Sequence, residues 1–240
     1  MTAHPVIAPQ PFETGVLGVP VLRLALARRT TRAALEAHAA EWRRDGVWLV
    51  AARIPEAWVA EAKTLTGAGF RAIETLITYR RPVGRAPAMP SSVRPAVPTD
   101  RQTCVAIAAR SFGFDRFHAD PLIPAAAADR LKAAWVANDL DGRADSALVA
   151  GAGGDVVGFV LCLRVGGAAV IDLIAVAPEA QGMGHGGALL AGALAAHSGR
   201  EMRAGTQAAN AASRRLYEAA GFTLAERAST FHWINPAVRP

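Results

Sequence analysis

The 240-residue sequence predicts an α/β chain of the α+β kind: a mixed sheet with helices on both faces, preceded by a smaller αβ unit. Three observations lead there. Apolar stretches of period two alternate with stretches of helical period along most of the chain. In the second half the strands come first as hairpins and later in strand-helix-strand order, which mixes antiparallel with parallel pairing. Between the halves lies PVGRAPAMPSSVRPAVP, residues 82–98, whose five prolines block both a helix and an inner strand. That stretch is the natural joint, and it divides the chain into a unit over residues 1–90 and a unit over residues 91–240.

In the first unit VPVLRLALA (19–27) reads as a strand, and TTRAALEAHAAEWRRDG (30–46) reads as a helix with threonine at its start and Gly46 beyond its end. VWLVAARI (47–54) is a strand, EAWVAEAKTLTGAG a helix, and FRAIETLITYRR a strand of alternating character. In the second unit a short strand and a helix occupy VRPAVPTDRQTCVAIAARSF, and IPAAAADRLKAAWVAND is a second helix. SALVAGAG, DVVGFVLCLRV and AAVIDLIAVA are successive strands separated by glycine-containing turns. A glycine-rich stretch, the helix ALLAGALAAH, the strand MRAGTQ, the helix NAASRRLYEAAG and the strand FTLAERASTFHWI complete the chain. The two units echo each other. LTGAGFRAIE and YEAAGFTLAE share a helix ending in Ala-Gly-Phe, with Leu65 standing where the second copy has Tyr217. The first unit therefore reads as a partial copy that kept the packing and lacks the chemistry.

Composition narrows the function classes. With 52% apolar and 19% charged residues, the chain can bury a core and is not a disordered tail. The net charge of +6 comes almost wholly from arginines scattered along the sequence, without the clustering that nucleic-acid binding needs, although an anionic ligand suits it. Cys104 and Cys162 have no partnering cysteines or histidines nearby, so they read as buried reduced thiols and no metal site is expected. MTAHPVIAPQPFETG lacks the features of a signal peptide, and no apolar run reaches membrane-spanning length, so a cytoplasmic protein without a membrane partner is expected.

The chemistry concentrates in AVAPEAQGMGHGG, residues 175–187, where an apolar strand turns into a helix. Backbone N–H groups at such a corner have no partner within the helix and share the positive end of its dipole, which favours a phosphate or diphosphate. A P-loop would need lysine and Ser/Thr after the last glycine, where Ala188 and Leu189 follow Gly187. Gly182, Gly184 and Gly187 match G-x-G-x-x-G, but three strands precede the motif and Glu201 opens the next strand instead of closing it, unlike a dinucleotide site.

A third pattern, Q/R-x-x-G-x-G/A after a Val-x-Pro-Glu turn, is followed downstream by Asn210, Leu216-Tyr217 and Gly221-Phe222 at N-x₅-L-Y-x₃-G-F spacing. On both motifs, residues 91–240 resemble the GCN5-related N-acetyltransferase (GNAT) family. The resemblance implies the acyl-CoA N-acyltransferase fold and acetyl-CoA as co-substrate. It assigns the coenzyme's arm to the edge at Ile174, Ala175 and Val176, its diphosphate to Gln181, Gly182, Met183, Gly184, His185 and Gly186, and a further contact to Asn210, which also suits a helix cap. It makes Tyr217 the group that meets the leaving sulfur. For the base that takes the amine's proton, Asp172 and His118 remain open, and an acceptor that binds as free amine needs none.

The acceptor side is read from SFGFDRFHADPLIPAAAADRLKAAWVAN, which combines Phe112 and Phe117 with Arg116, His118 and Asp120, a mixture suited to a sugar ring and to hydroxyl or phosphate groups. Trp135, four residues after Leu131, reads as a core residue. S-F-x-x-x-R-F-H-x-D-P, L-K-x-x-W-x-x-N and the opening FETGVLGVPVLRL resemble the TDP-fucosamine acetyltransferases, which implies a nucleotide-linked amino sugar as the small-molecule acceptor and, by family expectation, a homodimer. Gly15, Val16 and Leu17 stand where those relatives often carry aromatics. Another amine (a peptide amino terminus, polyamine or aminoglycoside) and a non-enzymatic acetyl-CoA sensor are the alternatives.

Overall fold

The computed structural model describes residues 5–152 and 155–240. Among them are ten strands and seven α-helices. The amino-terminal segment contains β1 (Val6–Pro9), α1 (Pro11–Leu17), β2 (Val21–Ala25), α2 (Arg32–Arg44), β3 (Leu49–Pro55), α3 (Val59–Gly67) and β4 (Arg71–Arg81). Then come β5 (Val93–Pro95), α4 (Arg101–Ser111), α5 (Ala125–Asn138), β6 (Ser146–Ala152), β7 (Asp155–Val165), β8 (Ala168–Val176), α6 (His185–Ala196), β9 (Met202–Gln207), α7 (Ala211–Ala219) and β10 (Thr223–Ile234). The mixed α/β class and most elements agree with the sequence reading. Absent from that reading are β1, α1 and a five-residue π-turn, Asp139–Arg143, after α5. No described helix is long and apolar enough to cross a membrane.

The described residues form two compact units, neither of them a single run of sequence. One comprises the chain up to Leu76 with 115–127 and 226–240; the other comprises 77–114 and 128–225. The proline-dense joint thus lies inside the second unit, and the division runs through β4 and β10, where a single cut near residue 91 was expected. The physical reason is that these two strands complete sheets to which their sequence neighbours do not belong.

In the first unit the strand order is β1-β2-β3-β10. β1 and β2 are antiparallel and β2 and β3 parallel, while β10 runs antiparallel to β3 from Ala228↔Pro55 to Ile234↔Leu49. Its core gathers Leu24, Leu35, Trp42, Leu65, Phe70 and Trp233. The side chain of Thr31 accepts the Ala34 N–H at 3.2 Å, the N-cap that the sequence places at this helix.

In the second unit the order is β4-β9-β8-β7-β6-β5. Alternate residues of β7 serve opposite faces of this sheet. Val160 and Cys162 join Leu189, Leu190 and Ala193 of α6, whereas Phe159 and Leu161 join Cys104 and Ile107 of α4. Burial pushes the thiols of Cys104 and Cys162 up to about 12, so both stay protonated.

The echo between the halves extends to topology and to caps. β2-α2-β3-α3-β4 and β8-α6-β9-α7-β10 have the same order, each with a parallel pair joined by a helix. Gly69 (φ 89°) and Gly221 (φ 82°) both end their helices in the left-handed region. In each copy the N–H three residues past the helix returns to the equivalent carbonyl, Phe70 to Leu65 at 3.1 Å and Phe222 to Tyr217 at 3.0 Å.

Candidate active site

The site is built on β8. Against β7 the strand pairs from Ala168↔Val165 to Val176↔Gly158, but against β9 the ladder covers only Ala169–Ile171 opposite Met202–Ala204. The register against β7 shifts between Leu161↔Leu173 and Cys162↔Ile171, which leaves Asp172 as the extra residue of a β-bulge. From Asp172 to Val176 the edge of β8 that faces away from β7 lies beyond the β9 ladder. Gly158 permits the close approach on the paired side, since a Cβ there would sit 2.8 Å from the Ala175 carbonyl oxygen.

β8 leads into the glycine corner. Gln181 Nε2 donates to the Val176 carbonyl at 3.1 Å and ties the turn to the strand end. Gly182 (φ 78°) and Gly184 (φ 87°) adopt the left-handed backbone that other residues resist. The N–H of Ala188 donates to Gly184 O at 3.0 Å, so the N–H groups of His185, Gly186 and Gly187 precede the helical ladder of α6. A Cβ added at Gly182, Gly184 or Gly187 would meet nothing within 4 Å, so the side-chain space at this corner is open. At Gly186 it would touch Leu216 and Val176, at 3.7 and 4.0 Å. Met183 is exposed and His185 half-buried. Successive N–H groups, the dipole of a twelve-residue helix and open space fit a diphosphate. Beside the corner a cavity of about 500 Å³ is lined by Gly187 and Leu190 of α6, Leu216 and Ala220 of α7, and Arg81 and Arg85.

α7 supplies Asn210 and Tyr217. Asn210 Oδ1 accepts the Ser213 N–H at 3.0 Å, which caps the helix. Tyr217 is buried, its ring 5.8 Å from that of Tyr79 and 5.5 Å from that of Phe222. Burial, with Cys162 nearby, raises its hydroxyl well above the ordinary phenol range and keeps it neutral. The Tyr79 hydroxyl, in contrast, donates to Glu218 Oε1 at 2.6 Å.

Asp172 is ion-paired to Arg143 Nη1 at 2.7 Å, and the same nitrogen bonds Asp139. Asp139 is buried, and burial together with the Asp172 charge pushes its carboxyl up to about 6. Asp139 and Arg143 escaped the sequence reading. Their only signal is the helix-terminating DLDGR, in which Gly142 (φ 117°) turns the chain.

The acceptor-side residues divide between the units. Phe112 belongs to the second, beneath the Lys132 ammonium at 4.9 Å from its ring centroid; that ammonium also lies 4.5 Å from the Trp135 ring. Arg116, Phe117, His118 and Asp120 belong to the first. His118 Nδ1 lies 2.5 Å from Asp115 Oδ2. Phe117 is fully buried, with the Arg116 guanidinium 4.1 Å and the His232 ring 6.2 Å from its centre. Asp120 is also buried; it bonds Arg71, His232 Nδ1 at 2.9 Å and the Leu122 N–H at 2.9 Å. Burial works against its charge, but the bonds from His232 and Arg71 hold the carboxyl below the usual range. The two base candidates therefore sit in different units, His118 in the first and Asp172 in the second.

Residues 110–222 match the model of the acetyltransferase (GNAT) family. The chain is 34% identical over 145 residues to the spore coat polysaccharide biosynthesis protein SpsD of Bacillus subtilis (strain 168), a match that spans 59% of this chain and 50% of that protein. The chain thus spans about half the length of this curated relative. Among solved structures, a GCN5-related N-acetyltransferase from Sphaerobacter thermophilus superposes with a TM-score of 0.66 at 17% identity, covering 100% of this chain and 78% of that one. A tandem GNAT protein from the clavulanic acid biosynthesis pathway gives 0.58 at 15% identity, covering 90% and 76%. At such identities these likenesses speak for the fold, and the match over residues 110–222, a little under half of the chain, makes that stretch similar to the acetyltransferase (GNAT) family.

Proposed function

We propose that the protein is an N-acetyltransferase that moves an acetyl group from acetyl-CoA to a primary amine, the amino group of a nucleotide-linked amino sugar. The observation that carries this reading is the edge of β8 from Asp172 to Val176, which lies beyond the β9 ladder, has its Val176 carbonyl tied to Gln181, and runs into the open corner at Gly182–Gly187. Main-chain groups of Ile174–Val176 bind the amides of the coenzyme's arm as an added strand would. The N–H groups at the corner bind its diphosphate, with Asn210 a further contact.

In the transfer the amine nitrogen forms a bond to the thioester carbonyl carbon, the carbon–sulfur bond breaks, and sulfur leaves with the electron pair. A main-chain N–H near Val176 meets the charge that builds on the carbonyl oxygen. Tyr217 meets the departing sulfur. Its hydroxyl is a weaker acid than a thiol of pKa about 8.5, so it acts by hydrogen bonding to the developing charge more than by free acidity. The amine's proton passes to Asp172, which is paired with Arg143, or to His118.

The sugar assignment draws support from the polysaccharide-biosynthesis name of the Bacillus relative and from the arginine-rich make-up of the chain. Thiol release from acetyl-CoA, followed across TDP- and UDP-linked amino sugars, peptides and polyamines, tests it. Turnover is expected with a nucleotide-linked amino sugar alone; faster turnover with spermidine or a peptide rejects the acceptor.

A further inference from the structure

The first unit holds an open polar cavity away from the glycine corner. It measures about 140 Å³ and is lined by Gln10, Glu13, Arg23, Arg53, Arg116 and Thr230 over Ala51 and Ala52 of β3. That size compares with an engineered protein cavity of roughly 150 Å³ that holds a benzene molecule. Three guanidinium groups thus share its wall with a single carboxylate.

The surroundings offset part of this excess, since Glu13, Glu74 and Asp115 all act on Arg116 against the charge of Arg53. Glu74, its side chain 4% exposed, accepts from Arg53 Nη2 at 3.3 Å and from the Thr230 hydroxyl at 3.1 Å, and Arg53 Nε donates to Thr230 Oγ1 at 3.0 Å. Arg53 is thereby held in place, while burial and the Arg23 charge lower its pKa. Arg116 is 16% exposed, and its contact with Glu13 Oε1 is 3.4 Å long, well beyond the roughly 2.7–2.9 Å of a good charge-assisted bond. Its Nη1 is buried without a hydrogen-bond partner. Burial and the Arg53 charge push Arg116 down to about 10. A guanidinium desolvated beside another costs free energy, which an anion held among the three guanidinium groups would offset.

We infer that this cavity of the first unit is a binding site for a small oxyanion, a phosphate or carboxylate group held by Arg23, Arg53 and Arg116. The site shares Arg116 with the acceptor side read from the sequence, but every residue that forms it lies in the unit without the glycine corner.

Calorimetric titration of the 240-residue chain with inorganic phosphate, and separately with acetate, tests the site. Saturating coenzyme A is present throughout to occupy any phosphate site in the second unit. One anion is expected to bind with the coenzyme present, and Arg23→Gln and Arg53→Gln are each expected to weaken it at least about tenfold. Arg23 is exposed, so its variant keeps the test open even if Arg116→Gln fails to fold. Tighter phosphate than acetate assigns the site to a phosphate group, and the reverse order to a carboxylate. Binding of neither anion, or affinity unchanged in both arginine variants, overturns the site.

Discussion

Tyr217 and Tyr79 lie ring against ring in the same core, yet their hydroxyls differ in kind. Tyr79 donates to Glu218, whereas Tyr217 sits desolvated on the helix that follows β9. If Tyr217 meets the leaving sulfur, Tyr217→Phe lowers kcat by about 10²-fold or more while KM for acetyl-CoA stays within a factor of a few. Steady-state kinetics check this; a rise in KM with kcat intact would reduce the residue to packing. Gly158 makes a separate prediction, on stability. Because a Cβ there meets the Ala175 carbonyl at 2.8 Å, Gly158→Ala forces β7 away from β8 and costs about 1–3 kcal/mol in urea unfolding. Motif spacing singles out Tyr217, Asn210 and the corner glycines in the sequence. It does not single out Asp139 and Arg143: a π-turn has no periodicity of its own, and the charge that couples Asp139 to Asp172 depends on a contact across the fold.

Among the elements, β8 shows most clearly what a sequence hides. AAVIDLIAVA reads as an ordinary buried strand, and a residue buried from both faces leaves no alternation to reveal that Asp172 bulges or that pairing with β9 ends at Ile171. α1 was missed because seven residues opening with proline and containing Gly15 give too short a helical pattern. The segment at 115–127 was read by composition as an acceptor wall, while its partners come from β4 and β10 of the first unit, through Arg71 and His232 on Asp120. That anchoring predicts a pH dependence. Burial holds His232 down to about 4 from an ordinary 6.5, so its folded form binds a proton less readily than its unfolded form. Stability is therefore lost as pH falls from about 6.5 to about 4, by an amount on the order of 3 kcal/mol. Asp120, whose carboxyl is held low, adds loss in the same direction at still lower pH. Urea midpoints at pH 7, 5.5 and 4 are expected to fall steadily in the wild type and to flatten over that range in His232→Asn. Parallel curves would show that the His232–Asp120 contact does not govern the segment.

At the scale of the whole molecule, the local echo between the halves was legible, and the assignment of strands to units was not. Composition marks residues 82–98 as a joint, but only long-range pairing decides that Ile77 and Tyr79 belong to the second core and that β10 lies against β3. A fragment that begins at residue 91 accordingly loses two core side chains and leaves β9 as an exposed edge, so it is expected to melt without a cooperative transition by circular dichroism. A sharp two-state melt of that fragment would show the second unit to be self-sufficient without them. The account as a whole turns on the glycine corner as the grip on the coenzyme. Calorimetric titration with acetyl-CoA of the wild type, of Gly184→Ala and of Gly184→Asp tests it most directly, because the alanine variant measures the strain of φ 87° and the aspartate variant adds a negative charge in the open space. The prediction is one-site binding in the wild type, a modest loss with alanine and at least about a tenfold further loss with aspartate in a folded protein. Equal affinity in all three proteins would contradict it.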